Sequence, residues 1–581
     1  MVILGLAFDY HDAAAAILVD GDIAFAAEEE RYSRIKHDRR IPTGAVQAAL
    51  HHTNLRIDDI DAVVFYEKPL VKFGRIFNNA RSVPNREAYI DDSLRYWIRH
   101  GKFSVAERIT HQFGVPADRI FFVAHHESHA ASTFFCSSFE DATVITLDGI
   151  GEYESATVSI GQGIKLNQVH SMRYPNSVGL FYSAMTAFLG FEVNEGEYKV
   201  MGMAGFGQAI HADKIRKLIF DDDNSIRIDQ TFFDFHTFDG APYKTALTTL
   251  LGLPRQPESP FEPDDDSAMG EMSRKYADIA ASVQTVAEEA ILMFVRSAIQ
   301  KTGIDTVAMA GGVALNSLAN GRIQRELGVP LYVHPSPGDA GGALGAALHY
   351  HCVGLGHPRP KPMSDPFLGS QYSQEDVFNA LEVSGVKQME TFPDQGTLCE
   401  RVAGVLAQGK VVGWFQGRFE WGPRALGARS ILANPTIPDM KRMINEKIKF
   451  RESFRPFAPA VLSEHAAEYF DICNDDCEDS LAPECFMLSV RRVRPEKTAL
   501  IPAVTHVDGT ARVQLVHKSV GSPLRTLIER FFSSTGVPLL LNTSFNRRGE
   551  PMVGTPKDAV TTFLYSGLDC LVIQNTIAWK V

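Results

Sequence analysis

The residues of this chain that could do chemistry fall into two groups of opposite character, and the first is rich in imidazole and carboxylate. His125 and His129 stand four apart in a run, His125-His126-Glu127-Ser128-His129, where a helix is plausible. On a helix they share one face. Two imidazoles so placed begin a divalent-metal site, and the alternative is a pair of solvated surface histidines. Asp148 ends an apolar strand just ahead of Gly149, and Asp339 lies in a Gly-rich turn that opens a helix of small residues. Two His and two Asp suit iron(II), manganese or zinc better than magnesium or calcium. Asp9-Tyr10-His11-Asp12 forms the tip of the first hairpin. His11, with a reference pKa of about 6.5, could take a proton from an alcohol; equally, His11 and Asp12 could hydrogen-bond the turn and nothing more.

The second group is basic. Arg418, Arg424 and Arg429 stand among glycines in the run 417–430, Arg451 and Arg455 follow, and Asn542 to Arg548 add amides, hydroxyls and two further arginines before Gly549. An arginine fork matches phosphate in a bidentate way, and glycines let backbone N–H groups close around an anion. The competing reading is solvated surface. Gly311-Gly312 follows a strand and leads through Asn316 into a helix. Such a turn lets a backbone approach a nucleotide with helix N–H groups facing phosphate, or it marks a tight helix–strand contact. There is no Walker-type loop, so ATP would have to be bound otherwise.

These groups need scaffolds, and 581 residues exceed what one core supports. Val2 to Phe8, Ala13 to Val19 and Ile23 to Ala27 read as strands around polar turns, and a similar unit returns at residues 142–163. The repetition suggests a duplicated nucleotide-binding architecture. The stretch 354–366, with four prolines and two glycines, can be neither helix nor central strand, so it divides the chain. The expected parts are 1–355, a linker at 356–370, and a second α/β domain at 371–581. The net charge of −13 argues against broad binding to nucleic acid or an anionic membrane. No run is long enough to span a bilayer. The apolar N-terminus lacks a basic leader and reads as a strand. Seven scattered cysteines point to reduced thiols in a cytoplasm, and Cys473, Cys477 and Cys485 make a poor zinc knuckle.

At these motifs the sequence resembles the O-carbamoyltransferases, the family of the tobramycin, cephem and nodulation-factor enzymes. The stretches that carry the resemblance include DYHDAAAAILVDG, EEERYSRIKH, HHESHAAS, VITLDGIGE, YKVMGMA, GGVALN, GDAGGALGAA, GRFEWGPRALGARS, RESFRPFAP and LNTSFNRRGEP, and they are spread along nearly the whole chain. The resemblance implies an actin-like ATPase (duplicated ribonuclease H-like) N-terminal domain and a YrdC-like C-terminal domain. It implies that carbamoyl phosphate and ATP, with Mg2+, give carbamoyl adenylate in the latter, and that the carbamoyl group then passes to a small-molecule hydroxyl, of a secondary metabolite or sugar-like acceptor, in the former.

By motif, His125, His129, Asp148 and Asp339 resemble the ligands of Fe2+ or another divalent transition metal. His11 resembles the general base and Asp9 an acceptor-binding group. Lys36, Lys199, Gly311, Gly312 and Asn316 resemble a nucleotide site of the N-terminal domain. Arg424, Arg455, Arg512, Asn546 and Arg548 resemble the carbamoyl-phosphate and adenylate pocket, Arg512 by the loosest match. No nucleic-acid or membrane partner is implied, and a homodimer is allowed. Acceptor contacts are expected in or near Lys68–Lys102 and Phe220–Asp266. The acidity there hints at a cationic acceptor, although a solvated acidic loop explains it as well. The rival readings are a metal-dependent hydrolase or kinase on the N-terminal half alone, and a nucleotide-gated sensor or scaffold without catalysis.

Overall fold

The computed structural model describes residues 1–83, 85–221, 223, 225–235 and 241–580. Part of the expected acceptor region (84, 222, 224 and 236–240) thus lies outside the described residues. The chain forms two compact units: one of residues 1–24, 39–42 and 53–362, the other of 25–38, 43–52 and 363–581. The break after Pro362 falls in the proline-rich stretch, which is neither helix nor strand from 356 to 368. The N-terminal part is not contiguous as expected, because its segments 25–38 and 43–52 belong to the second unit.

The duplication in the sequence is a duplication of topology. Strands β1 (Val2–Ala7), β2 (Ala14–Val19), β3 (Asp22–Glu28), β4 (Ala62–Phe65) and β5 (Ile120–Phe122) form one sheet in the order β3-β2-β1-β4-β5. Strands β6 (Asp141–Leu147), β7 (Glu154–Gln162), β8 (Lys165–Arg173), β9 (Val307–Ala310) and β10 (Leu331–Val333) form a second in the corresponding order, β8-β7-β6-β9-β10. In each, the first strand is antiparallel to the second and parallel to the fourth, which is parallel to the fifth. The central strands are buried on both faces, as Ile3, Leu4, Val63, Val144 and Ala308 show, which is why they read as apolar runs and not as alternation.

The fifth strands lead to helices His125–Cys136 and Asp339–His349, equivalent elements of the two copies. Their axes approach to backbone contact. A Cβ built on Gly345 would lie 1.8 Å from the Ser128 carbonyl oxygen, and one on Gly5 would lie 1.9 Å from that of Ala343. The small residues from 340 to 347 are therefore needed for two helices carrying candidate ligands to meet.

The second unit is built on an eight-stranded mixed sheet, β11-β20-β19-β12-β13-β18-β14-β17. Its strands are β11 (Met389–Thr391), β12 (Val412–Phe415), β13 (Arg429–Ala433), β14 (Ala458–Leu462), β17 (Gln514–Val516), β18 (Leu539–Ser544), β19 (Cys570–Ile573) and β20 (Thr576–Trp579), with β15 (Val490–Arg492) and β16 (Thr510–Arg512) paired separately. Trp414, Ile431, Leu540, Phe545 and Phe563 form part of its core. The α/β class expected from the sequence is what the chain adopts. All seven cysteines are free. No helix among the described residues is long and apolar enough to cross a membrane.

Candidate functional site

In the first unit His125, His129, Asp148 and Asp339 converge, each offering a ligand atom within 4.8 Å of every other. His125 Nε2 lies 2.9 Å from Asp148 Oδ2 and 3.1 Å from His129 Nε2. Asp339 Oδ1 lies 3.7 and 3.6 Å from the same two nitrogens. Three of the four side chains are no more than 3% exposed, and Asp148 is 13% exposed. Asp148 follows β6, where the Gly312 N–H donates to its Oδ1 at 2.9 Å and leaves Oδ2 for the histidines. The His125 N–H donates to both Glu152 oxygens at 3.1 Å. His126 faces away, onto Thr146 and the Glu154 carbonyl, and burial pushes its pKa down to about 3.

The arrangement fits a divalent cation. Asp339 Oδ2 is buried without a hydrogen-bond donor among the described residues. Burial alone would lower the pKa of His125, but Asp339 and Asp148 outweigh it and raise it to about 9. The site as built thus draws positive charge onto its own imidazoles, a role that a bound metal ion would take over. Two N and two carboxylate O donors are the set that borderline transition ions prefer.

His11 stands beside this cluster, with Nδ1 2.9 Å from Asp12 Oδ2 and Nε2 3.9 Å from Asp339 Oδ2. Burial opposes its protonation, but Asp339, Asp12 and Asp148 prevail and raise its pKa to about 9. Asp9 (φ 82°) and Asp12 (φ 52°) hold left-handed backbone, a conformation that needs support. Asp9 supplies it: its carboxylate takes both Arg108 nitrogens at 2.6 and 2.9 Å, its N–H donates to Arg39 O and its carbonyl accepts Lys102. In this geometry Asp9 anchors the turn, with its carboxylate paired to Arg108.

Of the residues expected to hold a nucleotide, all but Lys36 lie in the first unit. Lys36 belongs to the second unit, 3.4 Å from both Glu30 oxygens. Lys199 lies over the Phe191 ring at 5.7 Å. Gly311 (φ 95°) serves a tight contact, since a Cβ there would lie 2.2 Å from the Leu147 carbonyl oxygen. Asn316 caps the helix Ser317–Leu327 through the Ala319 N–H and bonds Gln284.

In the second unit the loop 417–430 is organised around Glu420, whose Oε1 accepts the N–H groups of Leu426, Ala428 and Arg429 at 2.7–3.0 Å. Arg429 donates to the Gln416 and Gly417 carbonyls and lies 3.6 Å from the Phe415 ring centre. Arg418 donates to the carbonyls of Leu368 and Gly369. Both build the loop, and Arg424 points to other company. Burial, then Arg424, Arg451 and Arg455, hold the Arg512 pKa well below the arginine range, and Arg512 Nε is buried without a partner among the described residues. Arg455 pairs with Glu452 at 3.4 Å and Arg548 reaches the same carboxylate at 4.0 Å.

One member of this cluster was not legible in the sequence. Lys449, 2% exposed, donates from Nζ to Asn546 Oδ1 (2.6 Å), Ser544 Oγ (3.0 Å) and two carbonyls. Burial, then Arg451 and Arg455, hold its pKa well below the lysine range. Its only sequence signal is its place just ahead of Arg451 and Arg455. So many cations pressed together repel, and a phosphate-bearing ligand would relieve them.

Family models for the carbamoyltransferase N-terminus and C-terminus match residues 2–348 and 403–580. An uncharacterized protein of Synechocystis sp. is 37% identical over all of this chain and 96% of its own. Nodulation protein NolNO of Sinorhizobium fredii is 36% identical over 98% of this chain and 79% of its own. The 3'-hydroxymethylcephem-O-carbamoyltransferase of Amycolatopsis lactamdurans is 34% identical over 46% of this chain and 48% of its own. Among solved structures, HypF of T. kodakarensis aligns over 61% of this chain and 48% of its own at 14% identity, with a TM-score of 0.31. With the two family halves matched in order over the carboxylate–imidazole cluster and the arginine loops, the chain belongs to the carbamoyltransferase family and is a carbamoyltransferase.

Proposed function

We propose that this carbamoyltransferase is ATP-dependent and works in two half-reactions, one in each unit. The observation that carries the reading is the pairing, in one chain, of a cluster suited to a cation with a pocket suited to a polyanion. In the second unit, Arg424, Arg455, Arg512, Arg548, Lys449 and Asn546 bind carbamoyl phosphate and ATP. Water attacks the phosphorus of carbamoyl phosphate, releasing phosphate and carbamate. A carbamate oxygen then bonds to the α-phosphorus of ATP as pyrophosphate leaves, giving carbamoyl adenylate. In the first unit an acceptor hydroxyl attacks the carbamoyl carbon, AMP leaves, and His11 takes the hydroxyl proton at Nε2 while Asp12 holds Nδ1.

His125, His129, Asp148 and Asp339 would hold Fe2+ or a similar divalent ion, which supplies Lewis acidity toward a carbonyl oxygen. Its charge would also offset the carboxylates that keep His11 protonated, leaving the imidazole free to accept a proton. The acceptor meets the segment Lys68–Lys102. Its helix Pro69–Asn79 is tied to the loop after Asp148, where Arg75 donates to Gly151 O (2.6 Å) and Asn78 to Tyr153 Oη (2.9 Å). Specificity commonly resides on such segments beside a fixed centre. The free thiols suit a reducing, cytoplasmic setting.

The test is incubation with carbamoyl phosphate, ATP and a panel of alcohols. Carbamoyl-phosphate-dependent release of pyrophosphate is expected, together with a product heavier by one carbamoyl group. ATP binding without pyrophosphate release would favour the sensor reading and overturn this one.

A further inference from the structure

Glu28, Glu29, Glu30 and Arg31 are four charged residues in a row, each no more than 9% exposed. Burying charge is unfavourable unless every ion is paired and hydrogen-bonded, so their partners show what the row is for. Glu28 Oε1 accepts the Gly422 N–H at 2.9 Å, and Arg31 donates to the Gly422 carbonyl at 2.9 Å. Glu28 and Arg31 are themselves 3.6 Å apart. One residue of the arginine loop is thus held by both its backbone polar groups, two positions before Arg424. Gly422 has φ 112°, a left-handed conformation open to glycine, so the clamp fixes a backbone that would not fix itself.

The same segment reaches the opposite loop. Arg34 donates to the carbonyls of Pro551 (2.9 Å) and Met552 and lies 3.5 Å from Asp558. Gly554 passes so close that a Cβ on it would lie 2.3 Å from the Arg31 carbonyl oxygen. Asn546 and Arg548 stand in the chain just ahead of these residues. Glu29, in contrast, caps another element through the N–H groups of Gly44 and Ala45.

Resting on the reading that this pocket activates carbamoyl phosphate, we propose that Glu28 and Arg31 are positioning residues that clamp Gly422 and so set where Arg424 meets the phosphate. In that role they act through Gly422 and not on the substrate itself. Their effect is on the geometry of a guanidinium, and an error near 1 Å at a charged contact lowers rate by about 10²-fold.

The experiment measures carbamoyl-phosphate-dependent exchange of pyrophosphate into ATP with the full-length protein. Arg31→Ala should raise KM for carbamoyl phosphate by about 10- to 100-fold, and Arg31→Lys, which keeps one donor, should recover part of the loss. Glu29→Ala is the control: it should lower thermal stability and leave that KM unchanged. A folded Arg31→Ala protein with wild-type KM and kcat overturns the proposal. So does a KM shift in Glu29→Ala as large as that in Arg31→Ala, because burial alone would then explain both. If Arg31→Ala does not fold, Arg31→Lys and Glu28→Gln carry the test, and unchanged KM in both overturns it. A wild-type protein without exchange activity defeats the parent reading alone. Calorimetric binding of pyrophosphate then reads the clamp, and equal affinity in wild type and Arg31→Lys overturns it.

Discussion

The carboxylate–imidazole cluster of the first unit and the arginine pocket of the second solve opposite electrostatic problems. At the first, Asp148 and Asp339 pull the proton affinity of His11 and His125 up. At the second, burial first and neighbouring guanidinium groups second press the proton affinity of Arg512 and Lys449 down. Each displacement names the charge that is wanting: a cation in one place, a polyanion in the other. Under the proposed function, ligands of opposite sign at the two sites make half-reactions that fail separately, and this separation is what mutation can break.

The largest effect should come from the ligand set. His129→Ala and Asp148→Asn are each expected to lose bound metal and reduce carbamoyl transfer to background while keeping pyrophosphate release. Elemental analysis that shows full metal occupancy in either would remove it from the ligand set. His11→Ala comes next, with transfer lowered by roughly 10²–10⁴-fold, the usual worth of a positioned base. Metal content and pyrophosphate release should be unchanged, and a transfer rate equal to wild type would exclude His11 as the base. Arg424→Ala tests the other side. Loss of one charge-assisted contact to phosphate removes about 2–3 kcal/mol, or roughly 30- to 150-fold in pyrophosphate release. Normal release by that variant, with metal retained, would take Arg424 out of the pocket.

The two sites also differ in how far the sequence betrayed them. His125 and His129 are legible because an i, i+4 pair is a local signal, Asp148 because it ends a strand just ahead of a glycine, and Asp339 because it lies in a Gly-rich turn that opens a helix. What local signals could not show is why those turns are rich in glycine. Gly311 and Gly345 answer to the close approach of Leu147 and Ser128, which is tertiary information. In the second unit the arginines declared themselves by density, yet density did not separate Arg418 and Arg429, which build the loop, from Arg424. Glu28 and Arg31 reach Gly422 across 394 and 391 residues. No period marks such a contact, so a charged run reads as surface. For the same reason Lys36 was assigned to the first unit, when the segment that carries it packs in the second.

The smallest effect sharpens the comparison most, because it concerns a residue that touches no ligand. Glu152, 3% exposed, accepts the N–H groups of His125 and Lys68, at 3.1 and 2.7 Å. It therefore holds the first turn of the helix on which both candidate imidazole ligands ride, and its charge contributes to the raised pKa of His125. Partners of this kind orient a ligand and are worth about 10- to 100-fold in metal affinity. Glu152→Gln keeps an oxygen for one N–H and should weaken metal binding at the low end of that range, and Glu152→Ala at the high end. Neither should alter pyrophosphate release, which the proposed function assigns to the second unit. Titration of metal-stripped protein with Fe2+ or Zn2+ measures the affinities directly. Equal affinity in wild type and Glu152→Ala would show that the helix carrying His125 and His129 is placed by its packing on the Asp339–His349 helix alone. The small residues at Gly342 and Gly345 would then be the proper targets.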